Sequence, residues 1–193
     1  MSIIVEGEFP RASELNQSLY DRVCENLQKN VVSIDPLHRI GARRTEFNLH
    51  EQKIKEIDEL TSWIQHMLPE VSKKFAGKPE LYSIPHKFVK DEEYGYNLNS
   101  FEIAECWGAH FNKGESVMEH NHFPYILSFT YYVKTPKGTA PIMIEGDPHN
   151  VKEGQCIFFL ASQYHSVGKN DCDGRCAIVG NILYRRSQND SME

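Results

Sequence analysis

The chain has 193 residues, of which 40% are hydrophobic and 25% are charged. This length and balance are typical of one globular domain with its own core, and they exclude a largely disordered chain. The 21 basic and 27 acidic residues give a net charge of −6, which argues against a dedicated nucleic-acid binder with a broad basic face.

The first half of the chain carries helical patterns. The first predicted helix has apolar residues near the helical period: Leu15, Leu19, Val23 and Leu27. Ser13 is placed to cap it. A second amphipathic helix is predicted over residues 49–75, and we expect Pro69 to kink or end it. Residues 78–99 are rich in turn formers and predict loop, with residues 94–99 as a connecting loop rather than a lid.

From residue 99 onward, short segments rich in Ile, Val, Phe and Tyr alternate with turn residues. They are Phe101–Phe111, Tyr125–Lys134, Ala140–Glu145, Cys156–Leu160 and Cys176–Tyr184. Short strands at this spacing indicate an antiparallel sandwich or barrel. The sequence therefore predicts a β-domain braced by N-terminal helices.

Three histidines and one arginine stand out in the β-rich half. His120 and His122 are separated by one residue, so on a strand both imidazoles would point to the same face and could meet one ion. His165 follows a later strand, which a jelly roll places beside the earlier one. Three imidazoles would leave open positions on a six-coordinate metal, as oxygen chemistry requires. Arg175 opens the last apolar strand, and a guanidinium inside a barrel suits bidentate binding of a carboxylate.

The order and spacing of four segments resemble the 2-oxoglutarate/Fe(II) oxygenase superfamily: residues 113–122, 127–133, 158–165 and 174–178. The likeness is greatest to the small phage and bacterial branch, and the strand with Tyr131 and Tyr132 is similar to that of prolyl hydroxylases. The resemblance covers roughly Trp107 to Tyr184.

The resemblance implies an α+β, mainly β fold, a double-stranded β-helix (jelly roll) braced by N-terminal helices. We predict one domain over 1–193, with helical support and loops in 1–98, the catalytic core in 99–186 and a frayed tail in 187–193. The implied activity is that of a dioxygenase that uses Fe(II), 2-oxoglutarate and O2, hydroxylates an unidentified substrate and releases succinate and CO2.

The resemblance also implies roles for individual residues. His120 and His165 would be the two iron-binding imidazoles. Arg175 would hold the distal carboxylate of 2-oxoglutarate, and Tyr132 would offer its hydroxyl to the same carboxylate. No catalytic residue is implied beyond the groups that hold the metal and the cosubstrate.

Two positions depart from the wider superfamily. His122 stands where the third metal ligand is usually Asp or Glu, although His-x-His also occurs in the phage-like branch. The site would then be a three-histidine centre with one negative charge fewer. Ala177 stands where many relatives carry a serine, which would leave Arg175 with more of the anchoring.

Two alternatives remain open. A cupin's first motif also begins with a glycine and, five residues later, His-x-His, as Gly114 and His120 do here, but the glutamate expected next is missing from residues 123–127. Cupins with three histidines act as dioxygenases without 2-oxoglutarate. The other alternative is a jelly-roll binding module without enzymatic activity.

The remaining aromatic and basic residues have plainer interpretations. We expect Trp107, His110 and Phe111 to fill the core. We expect the pairs Arg43-Arg44 and Arg185-Arg186 to be solvated.

Localisation and partners follow from weaker patterns. The five cysteines are scattered and odd in number, as is typical of free thiols in a reducing compartment. The sequence starts without a signal peptide, and no apolar run reaches the ~18 residues that a membrane span needs. We predict a cytoplasmic protein whose substrate is a small molecule or protein side chain rather than nucleic acid. Analogy with other jelly rolls allows a homodimer.

Overall fold

The computed structural model describes residues 2–29, 41–75 and 101–184. These ranges form two α-helices, a short 3-10 helix (Leu49–Glu51) and ten strands. The helices are α1 (Ala12–Lys29) and α2 (Lys55–Phe75). The strands are β1 (Ile4–Glu8), β2 (Arg43–Arg44), β3 (Phe101–Phe111), β4 (Val117–His120), β5 (Leu127–Lys134), β6 (Ile142–Ile144), β7 (Asp147–His149), β8 (Gln155–Leu160), β9 (His165–Val167) and β10 (Arg175–Tyr184).

The strands form two antiparallel sheets. The major sheet has the order β1-β8-β5-β10-β3-β2, and the minor sheet has the order β4-β9-β6-β7. Most neighbours are far apart in sequence, because successive strands cross between the two sheets as they do in a jelly roll. The predicted fold class, a double-stranded β-helix braced by N-terminal helices, is confirmed.

The two helices cover the outer face of the major sheet. Leu19 and Val23 of α1 and Ile57, Leu60 and Ile64 of α2 are fully buried in the core that the helices share with that sheet. The apolar residues recur at helical spacing, so one face of each helix is removed from water. This layer fixes the major sheet from behind and leaves its other face to the site.

A second, smaller core lies between the two sheets. Ile142 and Ile144 of β6 and Val167 of β9 pack against Tyr132 and Phe159 of the major sheet. These side chains alternate with residues on the opposite face of their strands. The second core closes one end of the space between the sheets, and the histidines lie beside it.

The helices differ in detail from the prediction. Helix α1 begins at Ala12, so Ser13 lies inside its first turn and is not the cap. Helix α2 runs through Pro69 to Phe75, so the expectation that proline ends it is wrong. Val71 and Phe75 are fully buried beyond the proline, and their packing outweighs the backbone hydrogen bond that proline removes. None of the helices in the described ranges is long and apolar enough to cross a lipid bilayer.

Five strands lie outside the predicted segments, although the pair His120 and His122 was placed on a strand. They are short: β1, β2, β4, β7 and β9 have two to five residues each. The division between residues 98 and 99, the segment 94–99 and the tail 187–193 lie outside the described residues.

Candidate metal centre

The structure brings His120, His122 and His165 together at the open end of the sandwich. His120 ends β4 and pairs in register with His165, the first residue of β9. The Nε2 atoms of His120 and His122 are 3.2 Å apart. The ring centroid of His165 is 4.3 Å from that of His120 and 4.8 Å from that of His122. One ligand atom from each of the three rings can be chosen so that all lie within 4.8 Å of one another, which is compatible with one shared ion.

The position of His122 differs from the prediction, which placed both residues of the pair on one strand. Strand β4 ends at His120, and its pairing with β9 is irregular before that point. The chain then leaves the minor sheet, and the backbone N–H of His122 donates to the carbonyl of Ala161, 2.8 Å away. His122 therefore approaches the centre from the side of the major sheet.

Each imidazole is oriented through its Nδ1 atom. Nδ1 of His120 is 2.9 Å from the carbonyl of Met118, and Nδ1 of His165 is 3.2 Å from the carbonyl of Gln163. A carbonyl oxygen only accepts, so both Nδ1 atoms carry the proton and both Nε2 atoms keep a lone pair. This is the tautomer that a metal-binding histidine needs.

A buried polar network orients His122. Its Nδ1–H donates to Oδ1 of Asn181 at 2.6 Å, and the hydroxyl of Ser128 donates to the same oxygen at 3.0 Å. The amide of Asn181 is fixed in turn because its Nδ2 donates to Glu105 Oε2 at 2.9 Å. The sequence analysis missed these residues. Asn181 could have been noticed as a polar residue inside the apolar strand β10.

The electrostatics of the site keep two of the three histidines neutral. Burial and the neighbouring His120 lower the pKa of His122 to about 4. Burial and the other two histidines lower the pKa of His165 to about 3. A neutral imidazole binds a metal without first losing a proton, so these two rings are prepared as ligands at neutral pH.

The histidines open into a cavity between the two sheets, and the empty space there is about 570 Å³ when the open solvent at its mouth is counted. Its other lining residues are largely apolar: Ala42, Arg44, Trp107, Ala109, Phe111, Val117, Thr130, Tyr132, Ile142, Val167, Arg175, Ala177 and Val179. No carboxylate side chain is among the described residues that line it.

Arg175 and Tyr132 lie inside this cavity with polar atoms that lack partners. Arg175 is 1% exposed, and its Nη1 donates to the carbonyl of Ala140 at 2.9 Å and to Oδ1 of Asn170 at 3.1 Å. Neither Nε of Arg175 nor the hydroxyl of Tyr132 has a hydrogen-bond partner among the described residues. Burial raises the pKa of Tyr132, which keeps its hydroxyl as a donor. Two unsatisfied buried donors are costly, and a carboxylate would satisfy both.

Two aromatic residues that were assigned to the core, Trp107 and Phe111, are buried in a small apolar cluster as predicted, and they also line the cavity. Trp107 and Phe111 face the space between the sheets, and the ring of Trp107 is 5.6 Å from that of His122. They alternate along β3 with His110, which is buried on the opposite face as predicted. The alternation of a strand places these residues on opposite faces, and all three are buried because both faces of the major sheet are covered.

The prediction that Arg43 and Arg44 are solvated is confirmed for Arg43, which is exposed, and wrong for Arg44, which is half-buried. They form β2 at the edge of the major sheet, where Arg43 bonds to His110 and Arg44 lines the cavity. A two-residue strand carries no periodic pattern, so its pairing could not be foreseen. Arg185 and Arg186 lie outside the described residues.

No protein-family model and no curated protein sequence matches the chain. Solved structures do match in fold. A prolyl-4-hydroxylase from Pseudomonas putida aligns with a TM-score of 0.65 and 14% identity over 96% of this chain and 94% of its own. A viral collagen prolyl hydroxylase from Paramecium bursaria Chlorella virus-1, solved as a 2-oxoglutarate complex, aligns with a TM-score of 0.62 and 10% identity. The alignment covers 93% of this chain and 94% of that protein.

The third neighbour is SnoN, a non-heme α-ketoglutarate-dependent epimerase from nogalamycin biosynthesis. It aligns with a TM-score of 0.62 and 12% identity over 95% of this chain and 80% of its own. At these identities the likeness concerns the fold, and it spans almost the whole chain. The chain therefore has the fold of the 2-oxoglutarate/Fe(II) oxygenases, as the sequence resemblance implied.

Proposed function

We propose that the protein is an Fe(II)- and 2-oxoglutarate-dependent oxygenase of the hydroxylase type. The observation that carries this proposal is one cavity that contains both three convergent imidazoles and a buried guanidinium with an unpartnered Nε. A metal site alone would not need a buried cation nearby, because the two positive charges would repel each other. A dianionic cosubstrate that spans both groups resolves that repulsion.

The donor set fits Fe(II). His120, His122 and His165 would hold the ion through Nε2, since imidazole suits this metal and three protein ligands leave open positions for other molecules. The hydrogen bonds at Nδ1 hold the rings in place before the metal arrives. When bound, Fe(II) with 2-oxoglutarate supplies the activation of O2, and 2-oxoglutarate is converted to succinate and CO2 as the substrate is oxidised.

Arg175 and Tyr132 would bind the distal carboxylate of 2-oxoglutarate. Asn170 holds one side of the guanidinium through Nη1, so the Nε side stays turned towards the ligand. Ala177, in the same cavity, offers no hydroxyl. The apolar lining would exclude water from the reacting groups once both ligands are bound.

The substrate and the compartment are proposed on separate grounds. The neighbours include prolyl hydroxylases and an epimerase from nogalamycin biosynthesis, which supports a protein side chain or a small molecule as the substrate and not nucleic acid. All five cysteines are free thiols, which supports a reducing, cytoplasmic environment.

The three-histidine donor set is also compatible with a second candidate function, that of a cupin-like dioxygenase that does not use 2-oxoglutarate. Such an enzyme has no need for Arg175, whose buried Nε weighs against this candidate.

Anaerobic titration with Fe(II) and then 2-oxoglutarate tests the proposal. We expect a weak visible charge-transfer band that appears only when both are present. Arg175→Ala should abolish the band while Fe(II) affinity is retained, because the arginine contacts the carboxylate and not the metal.

Arg22→Ala is the matched control, since Arg22 lies on α1 and pairs with Glu25 and Glu56 far from the cavity. It should leave the band intact. Bound iron without any band in the unaltered protein would transfer the assignment to the cupin-like candidate.

A further inference from the structure

Arg44 is a second arginine in the cavity, and the proposed chemistry gives it no role. It lies on β2, opposite Ala109 of β3, and its side chain is half-buried against the cavity. Its guanidinium lies 4.2 Å above the ring of Phe47, and Nη1 makes a long contact of 3.4 Å to the carbonyl of Thr45. No salt bridge joins Arg44 to a carboxylate among the described residues.

The two arginines occupy different parts of the cavity. Along β3, Trp107 lies beside the histidines, Ala109 is opposite Arg44, and Phe111 is opposite Arg175. Successive residues on one face of a strand are about 7 Å apart. Counted from Trp107 in same-face residues of β3, Arg44 is therefore one residue spacing from the metal end and lies at the sheet edge. Arg175 is two such spacings away, on the central strand β10. One small dianion held by Arg175 and the metal leaves the guanidinium of Arg44 unoccupied.

The opposite face of β2 anchors this strand. Nη2 of Arg43 donates to Nδ1 of His110 at 3.1 Å. Arginine only donates, so the proton of His110 is on Nε2, which donates to the hydroxyl of Tyr20 at 3.1 Å. The backbone of Thr45 adds a bond to the carbonyl of Gly108 at 3.0 Å. Arg44 is thus presented to the cavity from a backbone that is fixed on both sides.

We propose that Arg44 binds an oxyanion of the substrate, a carboxylate or a phosphate, so that the substrate is an acid with an apolar body. This substrate class rests on the proposed function, whereas anion binding by Arg44 can be tested alone. The cavity contains two arginines and no carboxylate among its described lining residues, so it favours a second anion. Apolar side chains that share the site suit the body of such a molecule: Trp107 and Val117 line the same cavity as Arg44, and Phe47 lies against both its guanidinium and the ring of Trp107.

Arginine side-chain NMR tests this proposal on Zn(II)-loaded protein saturated with 2-oxoglutarate. The Nε–H signal of Arg44 is the one that Arg44→Gln removes. Acetate and inorganic phosphate are the probes, and they distinguish the two anion classes. We expect a saturable shift of this signal with one of them. By calorimetry, Arg44→Gln should weaken the binding of that probe by roughly tenfold or more. Arg44→Lys should weaken it by less, because lysine keeps the positive charge but loses the paired N–H donors of the guanidinium.

Arg22→Gln is the matched control and should bind the probe as the unaltered protein does. The proposal is overturned if neither anion moves the Arg44 signal, if Arg44→Gln binds them equally well, or if they bind only by displacing 2-oxoglutarate. The Nε–H signal of Arg175 reports separately on 2-oxoglutarate. If adding 2-oxoglutarate to the Zn(II)-loaded protein leaves the Arg175 signal unmoved, while acetate or phosphate moves the Arg44 signal, the oxygenase assignment fails and the anion site stands.

Discussion

At the scale of single residues, the centre is built around an imidazole at position 122. Oδ1 of Asn181 accepts from Nδ1–H of His122, and its Nδ2 is committed to Glu105. The side-chain amide of Asn181 cannot flip by half a turn without bringing its oxygen against the carboxylate of Glu105. The surroundings of His122 therefore require a hydrogen-bond donor, and a carboxylate ligand would not supply one.

We expect His122→Asp to bind Fe(II) at least about tenfold more weakly than the unaltered protein, although Asp is usual at this position in the wider superfamily. The carboxylate would face the oxygen of Asn181, which would lose the donor at position 122 and keep only the hydroxyl of Ser128. Equilibrium titration with Fe(II) under anaerobic conditions measures the affinity, with His122→Ala as the lower limit. Binding as tight as that of the unaltered protein would contradict this account of the site.

Asn181→Ala should lower Fe(II) affinity by about 10–100-fold without removing any metal ligand, because His122 loses the bond that orients its ring. The same metal titration provides the measurement. Ser128→Ala is the comparison, and its effect should be smaller, since Ser128 donates to Asn181 and leaves the bond between Asn181 and His122 in place. Equal effects of the two substitutions would show that Asn181 has no special role.

The residues that the sequence made visible are those whose chemistry is unusual for their context. Three spaced histidines and an arginine at the start of an apolar strand could be selected without coordinates. Asn181 stands out only as a polar residue in an apolar strand, and its role and that of Arg44 could not be predicted, because both roles depend on which strands are neighbours. The carboxyl end of β10 meets Glu105 of β3 and Ser128 of β5 through a register that no local pattern encodes.

At the scale of elements, the contact between α1 and β3 depends on Gly108. A methyl group added there would lie 2.6 Å from Cγ1 and 2.7 Å from Cγ2 of Val23. We expect Gly108→Ala to lower the free energy of unfolding by about 1–3 kcal/mol through overpacking. In the double variant with Val23→Ala, the loss should be smaller than the sum of the two single losses, because the second change removes the clash. Urea unfolding measures all three variants.

Gly180 provides the contrasting case. A methyl group there would lie 2.4 Å from the ring of Phe129 and 2.6 Å from the backbone carbonyl of Glu105. Trimming Phe129 would leave the carbonyl contact in place, so Phe129→Ala should not rescue Gly180→Ala. At Gly108, by contrast, a contradicting result is that the losses in unfolding free energy of Gly108→Ala and Val23→Ala simply add in the double variant. That result would mean that α1 can move away from the sheet and relieve the clash.

Elements with many residues were predictable and those with few were not. Strands β3, β5, β8 and β10 have six to eleven residues, enough for composition and turn residues to mark them. The minor sheet is made of strands of three or four residues, which exist because they pair with each other. Such pairing is a non-local property, so of the four strands of the minor sheet only β6 was part of a predicted segment, and the bounds of the other three emerged with the structure.

At the scale of the whole molecule, the candidate metal centre joins the two sheets. His120 and His165 belong to the minor sheet, and His122 is bonded to Asn181 of the major sheet. The minor sheet has only short strands, so a shared ion would add a connection where the fold has few of its own. Anything that binds the folded state alone also raises the stability of the whole domain.

We therefore expect the melting temperature to rise in two steps, first with the metal and then with 2-oxoglutarate. At a hundredfold excess over its dissociation constant, each ligand contributes about 2.7 kcal/mol, which for a domain of this size is a rise of about 5–10 °C. Scanning calorimetry with Zn(II) in place of Fe(II) avoids oxidation. His165→Ala should abolish both steps, whereas Arg175→Ala should keep the first and lose the second. A full second step in Arg175→Ala would place the carboxylate of 2-oxoglutarate elsewhere, and Arg44 would be the next residue to replace.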